Sequence, residues 1–207
     1  MLVTVEKTSE RPIIVAVRDD GVSLRVRTMR QIRQFGDFVI VPLASVIFID
    51  LAGVDRLYLV LAGLAAWTLL EYLVHRFVFH RYSSLCRRLH QLHHDHPNDL
   101  DAERSSLSTP LIAFPIGFLL IATAGVEDGS AIFTELLLGY LAFITVHYAV
   151  HRLPIGPNSR LFYSTKLRHL THHRFENCNF GVTTSFWDIV FRTNARIIGE
   201  RLSSGAG

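Results

Sequence analysis

Residues 57–80 read LYLVLAGLAAWTLLEYLVHRFVFH. The run from Leu57 to Val74 is aliphatic or aromatic apart from Gly63, Thr68 and Glu71, and two histidines, His75 and His80, follow it. Its length falls within the about 17–25 residues a helix needs to cross a hydrocarbon core. Three further blocks share this character: residues 38–54, interrupted by Asp50, residues 107–126 and residues 131–150. In lipid every backbone polar group must be satisfied internally, so such blocks are helices. A soluble four-helix bundle is the competing reading, but soluble helices keep a charged face that these blocks lack. The sequence predicts an all-α integral membrane protein with four transmembrane helices in two hairpins.

The connections orient those spans. Asp55 and Arg56 join the first two blocks, and Glu127, Asp128, Gly129 and Ser130 join the last two. Both joints read as tight turns nearly free of basic residues. Arginines and lysines crowd the other segments: Arg25, Arg27, Arg30 and Arg33, then Arg76, Arg81, Arg87 and Arg88, then Arg152, Arg160, Lys166, Arg168 and Arg174. Basic residues near span ends stay cytoplasmic. Both termini and the long middle segment are therefore expected in the cytoplasm, and the two turns on the opposite face. Pro110 and Pro115 predict a kinked or late-starting third helix, which membrane helices tolerate.

The 207 residues suit a single domain, and 49% of them are hydrophobic. Residues 1–37 read as a polar arm with short apolar alternations, residues 38–196 as the membrane domain and residues 197–207 as a tail. The arm lacks the continuous apolar run of a cleavable signal peptide. Cys86 and Cys178 are too few and too far apart for a disulfide framework or a zinc ribbon and read as reduced thiols. No nucleic-acid partner is expected.

All 11 histidines lie within residues 75–96 and 147–173. Four motifs hold ten of them: His75 and His80; His90, His93 and His94; His147 and His151; and His169, His172 and His173. Residues at i, i+3 and i+4 share one face of a helix, so each HxxHH triplet presents its imidazoles together, as do His147 and His151. His75 and His80 differ, because five residues at about 100° each place them well apart on an α-helix. Either the helix ends between them or they serve different metals, and the second is preferred because a two-metal site has use for divergent ligands. His96 stands outside the motifs and reads as a packed or hydrogen-bonded residue.

Ten histidines exceed the needs of one metal ion, and two ions with five ligands each is the natural division. The motifs close the second and fourth spans, so the ligands converge at the cytoplasmic face within reach of lipid. Such a nitrogen-rich set accepts iron, zinc, copper or nickel. Zinc would support hydrolysis and iron the activation of dioxygen. No side chain is separable from the histidines as catalytic. Glu71, one turn before His75, is a candidate for orienting an imidazole from behind. Asp99 and Asp188 are similar candidates, with Asp99 leaning towards a solvated surface role. Glu176, in a polar stretch, reads as surface.

The surroundings of the motifs sharpen the reading. Glu71-Tyr72 leads into His75-Arg76 and Phe79-His80. His93-His94 precedes Pro97, Asp99 and the Thr109-Pro110 step. His172-His173 precedes Phe180-Gly181-Val182-Thr183, then Trp187-Asp188 and Phe191-Arg192-Thr193. Across residues 70–195 this pattern resembles the fatty acid hydroxylase branch of the sterol desaturase and hydroxylase superfamily, and the tail through Thr193 resembles fatty acid 2-hydroxylases most. The resemblance implies a four-helix membrane enzyme with a cytosolic helical cap and a dinuclear centre, a non-haem monooxygenase that uses dioxygen and two external electrons. Its metal ligands would be His75, His80, His90, His93, His94, His147, His151, His169, His172 and His173. The implied substrate is a long acyl chain or membrane lipid, and the metal needed for activity is iron, with zinc able to bind. Many eukaryotic relatives carry an N-terminal haem domain of the cytochrome b type. The 37 residues before the first span suggest instead a separate electron donor, cytochrome b-type or ferredoxin-like, at the arginine-rich face. The resemblance implies the endoplasmic reticulum for a eukaryotic chain and the inner membrane for a bacterial one.

Three alternatives remain open. A carotenoid or sterol hydroxylase or desaturase would belong to the same superfamily, although the third motif's three-residue gap and the tail through Thr193 argue against the carotenoid enzymes. A histidine-rich metal transporter would place its ligands near the bilayer midplane, whereas these stand at span ends. A zinc hydrolase would show no redox turnover.

Overall fold

Two glycines in left-handed backbone conformations turn the chain at one end of the helices. Gly53 (φ 76°) ends the first long helix and Gly125 (φ 89°) separates the third from the fourth. Glycine reaches such angles without the steric penalty of a side chain. The computed structural model describes residues 28–29, 31–32, 35–97 and 108–195. Their order is α1 (Asp37–Ala52), a tight 3₁₀ turn (Val54–Arg56), α2 (Leu57–Leu73), a π-helical continuation (Val74–Phe79), α3 (Leu85–Asp95), α4 (Ser108–Ala124), α5 (Val126–Arg152), α6 (Arg160–Arg174) and α7 (Phe186–Val190). Among the described residues the regular structure is wholly helical. Residues 1–27, most of residues 100–109, Asp99 and the tail 197–207 lie outside them.

Helix α5 is the hub and packs against α1, α2 and α4. Its inward face supplies Phe133 and Leu137, which meet Val41 and Ala44 of α1, and Ala131, which meets Ala52 and Val60. Small residues let the helices approach closely, as interfaces between apolar helices require. At Gly139 of α5 an added Cβ would stand 2.2 Å from Trp67 Cγ of α2.

The outer faces are apolar too. Val39, Leu43, Val46 and Ile47 of α1 and Leu111, Phe118 and Leu119 of α4 are exposed. A surface of that kind suits lipid rather than water. The continuous helices Val54–Phe79 and Val126–Arg152 have the length and apolar composition to cross a membrane. Helices α1 and α4 are shorter, at 16 and 17 residues. At 1.5 Å per residue they extend roughly 24–26 Å, somewhat less than a hydrocarbon core of about 30 Å.

One expected turn is corrected. Residues 127–130 form the first turn of α5, not the joint, which lies at Gly125. Acidic side chains at a helix N-terminus are favoured by the backbone dipole, so Glu127 and Asp128 begin a helix instead of ending one. Arg56 ties the two turns together, pairing with Glu127 at 2.9 Å and with Asp128 at 2.5 Å. The histidine motifs stand at the other end.

Candidate metal centre

The ten motif histidines assemble into two groups of five. His75, His80, His90, His94 and His172 form the first, and His93, His147, His151, His169 and His173 the second. Within each, one ring nitrogen per residue lies within 4.8 Å of all the others. The groups touch where His94 stacks on His173, with ring centroids 4.2 Å apart. His96 belongs to neither and is exposed just past the end of α3.

Local structure explains the membership. Ser84 caps α3 by accepting a hydrogen bond from Arg87 N, a common start for a short helix. On α3, His90 and His94 face the first group and His93 the second. Helix α6 exchanges the assignment, with His169 and His173 facing the second group and His172 the first. Positions i and i+4 differ by about 40° around an α-helix, whereas i+3 and i+4 differ by about 100°. Each triplet therefore bridges both groups.

The pair His75 and His80 overturns its expectation. They stand in the same group, with Nε2 atoms 3.3 Å apart. The cause is the π-helical turn Val74–Phe79. Its hydrogen bonds run from i to i+5, so a five-residue spacing returns to nearly the same face. The α-helical rule does not apply to this segment.

The geometry fits a metal ion in each group. Nε2–Nε2 separations are 3.1 Å for His75–His90, 3.0 Å for His80–His90 and 3.1 Å for His90–His94. In the second group they are 2.8 Å for His151–His169 and 3.1 Å for His169–His173. Ligands about 2.0–2.1 Å from one ion stand roughly 2.9 Å apart at right angles and roughly 3.4 Å apart in a tetrahedron. A neutral imidazole carries a single N–H, so hydrogen bonds cannot satisfy this many converging nitrogens. Nε2 of His172 and both ring nitrogens of His93 are buried without a partner among the described residues.

Burial favours the neutral form of His80, His90, His93, His169, His172 and His173. Burial, reinforced by neighbouring histidines, lowers His93 to about 3. Burial lowers His172 to about 3 and His80 to about 4, and holds His90, His169 and His173 far below the ordinary range. Neutral imidazoles offer the lone pairs that a metal takes.

Carboxylates and carbonyls stand behind the first group. His172 Nδ1 donates to Cys178 O at 2.8 Å and His75 Nδ1 donates to Phe180 O. Since a carbonyl only accepts, each Nδ1 carries the proton and each Nε2 is free for a metal. Glu71 and Asp188 are both buried, but neither grips a histidine ring as expected of orienting residues. Both bind backbone N–H groups of residues 180–183. Glu176 keeps its surface position, with its side chain 41% exposed, but also faces the first group: its carboxylate lies 3.7 Å from His80 Nδ1 and 3.9 Å from His94 Nδ1, and Gln91 Nε2 donates to it at 3.0 Å. Its one-turn spacing from His172 was a weak signal, because α6 ends at Arg174.

Among the described residues, helices with apolar outer faces that gather ten histidines at one end are the class this fold and site define. The chain belongs to the fatty acid hydroxylase family, whose model matches residues 60–193. It is 35% identical over 144 residues to a dihydroceramide fatty acyl 2-hydroxylase of Arabidopsis thaliana, covering 65% of this chain and 60% of that one. It is 33% identical to the fatty acid 2-hydroxylase of Rattus norvegicus, covering 63% of this chain and 38% of the rat protein. The structure of full-length Scs7p, in which only the hydroxylase domain is visible, superposes with a TM-score of 0.66 at 25% identity, over 82% of this chain and 67% of that one. The chain thus spans about 60% of the plant relative's length and 38% of the rat relative's.

Proposed function

We propose that this chain is a membrane-bound, dioxygen-dependent hydroxylase of long acyl chains, with residues 38–196 as its catalytic unit. The observation that carries the proposal is the pair of five-imidazole groups at one end of α2 and α5. In this reading each group holds one metal ion, through His75, His80, His90, His94 and His172 on one side and His93, His147, His151, His169 and His173 on the other. Iron, when bound, supplies the activation of dioxygen, and zinc fits the same ligands. The overall reaction balances as a C–H group, dioxygen, two electrons and two protons giving a C–OH group and water.

The chain's own residues bind and orient. The histidines hold the metals with their neutral nitrogens, and the carbonyls of Cys178 and Phe180 fix two of the rings. Exposed apolar faces on α1 and α4 support a four-span membrane topology. The basic residues at the histidine end support a cytoplasmic site with both termini on the same side. The placement then lets an acyl chain approach from the bilayer while electrons arrive from the cytosol. Arg81, Arg87 and Arg88 are exposed beside the first group and offer a docking face to an acidic electron-donor protein. The names of the relatives point to the carbon beside the acyl carbonyl of a sphingolipid-type chain.

The test is expression in a host lacking such an activity, followed by mass spectrometry of extracted lipids. Acyl chains heavier by one oxygen are expected, and they should vanish with His172→Ala. Absence of oxidised lipid from iron-loaded protein supplied with reductant and dioxygen overturns the proposal.

A further inference from the structure

Four consecutive backbone N–H groups, those of residues 180–183, are taken by two side chains far apart in sequence. Phe180 N and Gly181 N donate to the two oxygens of Asp188, each at 2.8 Å. Val182 N and Thr183 N donate to Glu71 Oε1 at 2.7 and 3.0 Å, and Thr183 Oγ1 donates to Glu71 Oε2 at 2.6 Å. Thr193 Oγ1 adds a bond to Asp188 at 2.8 Å. Glu71 is 5% exposed and Asp188 1%. A buried carboxylate is costly unless donors surround it, and here each is surrounded.

The clamped segment acts on the histidines through its carbonyls. Cys178 O and Phe180 O receive the Nδ1 protons of His172 and His75. Both of those rings belong to the first group. Nδ1 of His94 in the first group, and of His93, His169 and His173 in the second, has no hydrogen-bond partner among the described residues. The clamped segment therefore bears on two rings of the first group, His75 and His172.

We infer that Glu71 and Asp188 are positioning residues for the first metal group only, acting through residues 178–183 on His75 and His172. The inference rests on the proposed reading of the histidines as metal ligands. Partners that orient ligating histidines typically change metal affinity by about 10–100-fold, and the effect here falls on one ion of two.

The experiment measures metals per chain and their release to a chelator, using full-length protein in detergent loaded with iron(II) or with zinc. Wild type is expected to hold two ions. Glu71→Gln should release one of them about 10–100-fold faster and the other at the wild-type rate. Thr183→Val removes a single hydroxyl donor and keeps the carboxylate, so it carries the same test with a smaller effect if Glu71→Gln does not fold. Equal acceleration of both ions, or release of both at the wild-type rate, overturns the inference and leaves the metal reading intact. Wild-type protein that binds no metal overturns both.

Discussion

The first histidine group, His75, His80, His90, His94 and His172, and the second, His93, His147, His151, His169 and His173, offer five ring nitrogens each. They reach that number by different backbones. Helix α5 supplies a four-residue spacing, His147 to His151, on an ordinary α-helix. The end of α2 supplies a five-residue spacing, His75 to His80, and needs a π turn to close it. Helices α3 and α6 then serve both groups, each giving its i and i+4 histidines to one and its i+3 histidine to the other. The group built on the less common backbone has two backbone carbonyls and the Glu176 carboxylate behind its rings. π turns occur often at functional sites. The contrast suggests why this one is fixed: without support, an α-helical register would swing His80 away.

The largest effect expected from breaking this contrast follows an alanine inserted between Phe77 and Val78. A six-residue separation lies beyond what a single π turn closes, so His80 leaves the first group. The second group uses no residue of this segment and should keep its ion. Metal content should fall from about two ions per chain to about one, with oxidised lipid lost. Elemental analysis of the purified variant, beside lipid mass spectrometry, checks both outcomes. Two retained ions would show that the π turn is dispensable.

Much of this was legible in the sequence, and the failures share a cause. The apolar blocks marked the long helices because hydrophobic length is a local property. The division into two groups of five histidines was legible as a count. Which histidine joins which group was not, because i+3 and i+4 neighbours share a helix face while pointing about 100° apart, and only the partner helices decide between them. The α-helical angle rule misassigned His75 and His80 because nothing in the composition of Val74–Phe79 announces a π turn. Glu127 and Asp128 looked like a turn because acidic residues suit both turns and helix N-termini. Glu71 was expected to orient an imidazole, yet the partners it takes, Val182 and Thr183, lie 111 and 112 residues away. A contact of that separation is set by the fold and leaves no local pattern.

An intermediate effect is expected where α2 and α5 meet, since the first helix carries the first group and the second helix the second. Gly139→Ala places a methyl group against the Trp67 ring. Overpacking of this kind costs about 1–3 kcal/mol. Because the strain lies between the two helices, not behind one group, both ions should loosen alike. Thermal unfolding and chelator release measured on one preparation check this. A loss confined to one ion would mean that the packing of α2 on α5 supports the two groups unequally.

The smallest effect belongs to Glu176. Its side chain is 41% exposed and its carboxylate stands 3.7 and 3.9 Å from the Nδ1 atoms of His80 and His94, longer than ordinary hydrogen bonds. Water shares the carboxylate, and salt screens the attraction between exposed charges. Glu176→Gln should therefore weaken the first ion by less than the roughly 10–100-fold typical of well-formed partners behind ligating histidines. The second ion should be unaffected, because Glu176 faces only rings of the first group. Raising the ionic strength of wild-type protein should reproduce part of the change, whereas it should leave the buried contacts of Glu71 and Asp188 untouched. Chelator release at low and high salt, in wild type and variant, separates the two kinds of support. A salt-independent loss as large as that of Glu71→Gln would mean that Glu176 closes onto His80 and His94 when metal binds.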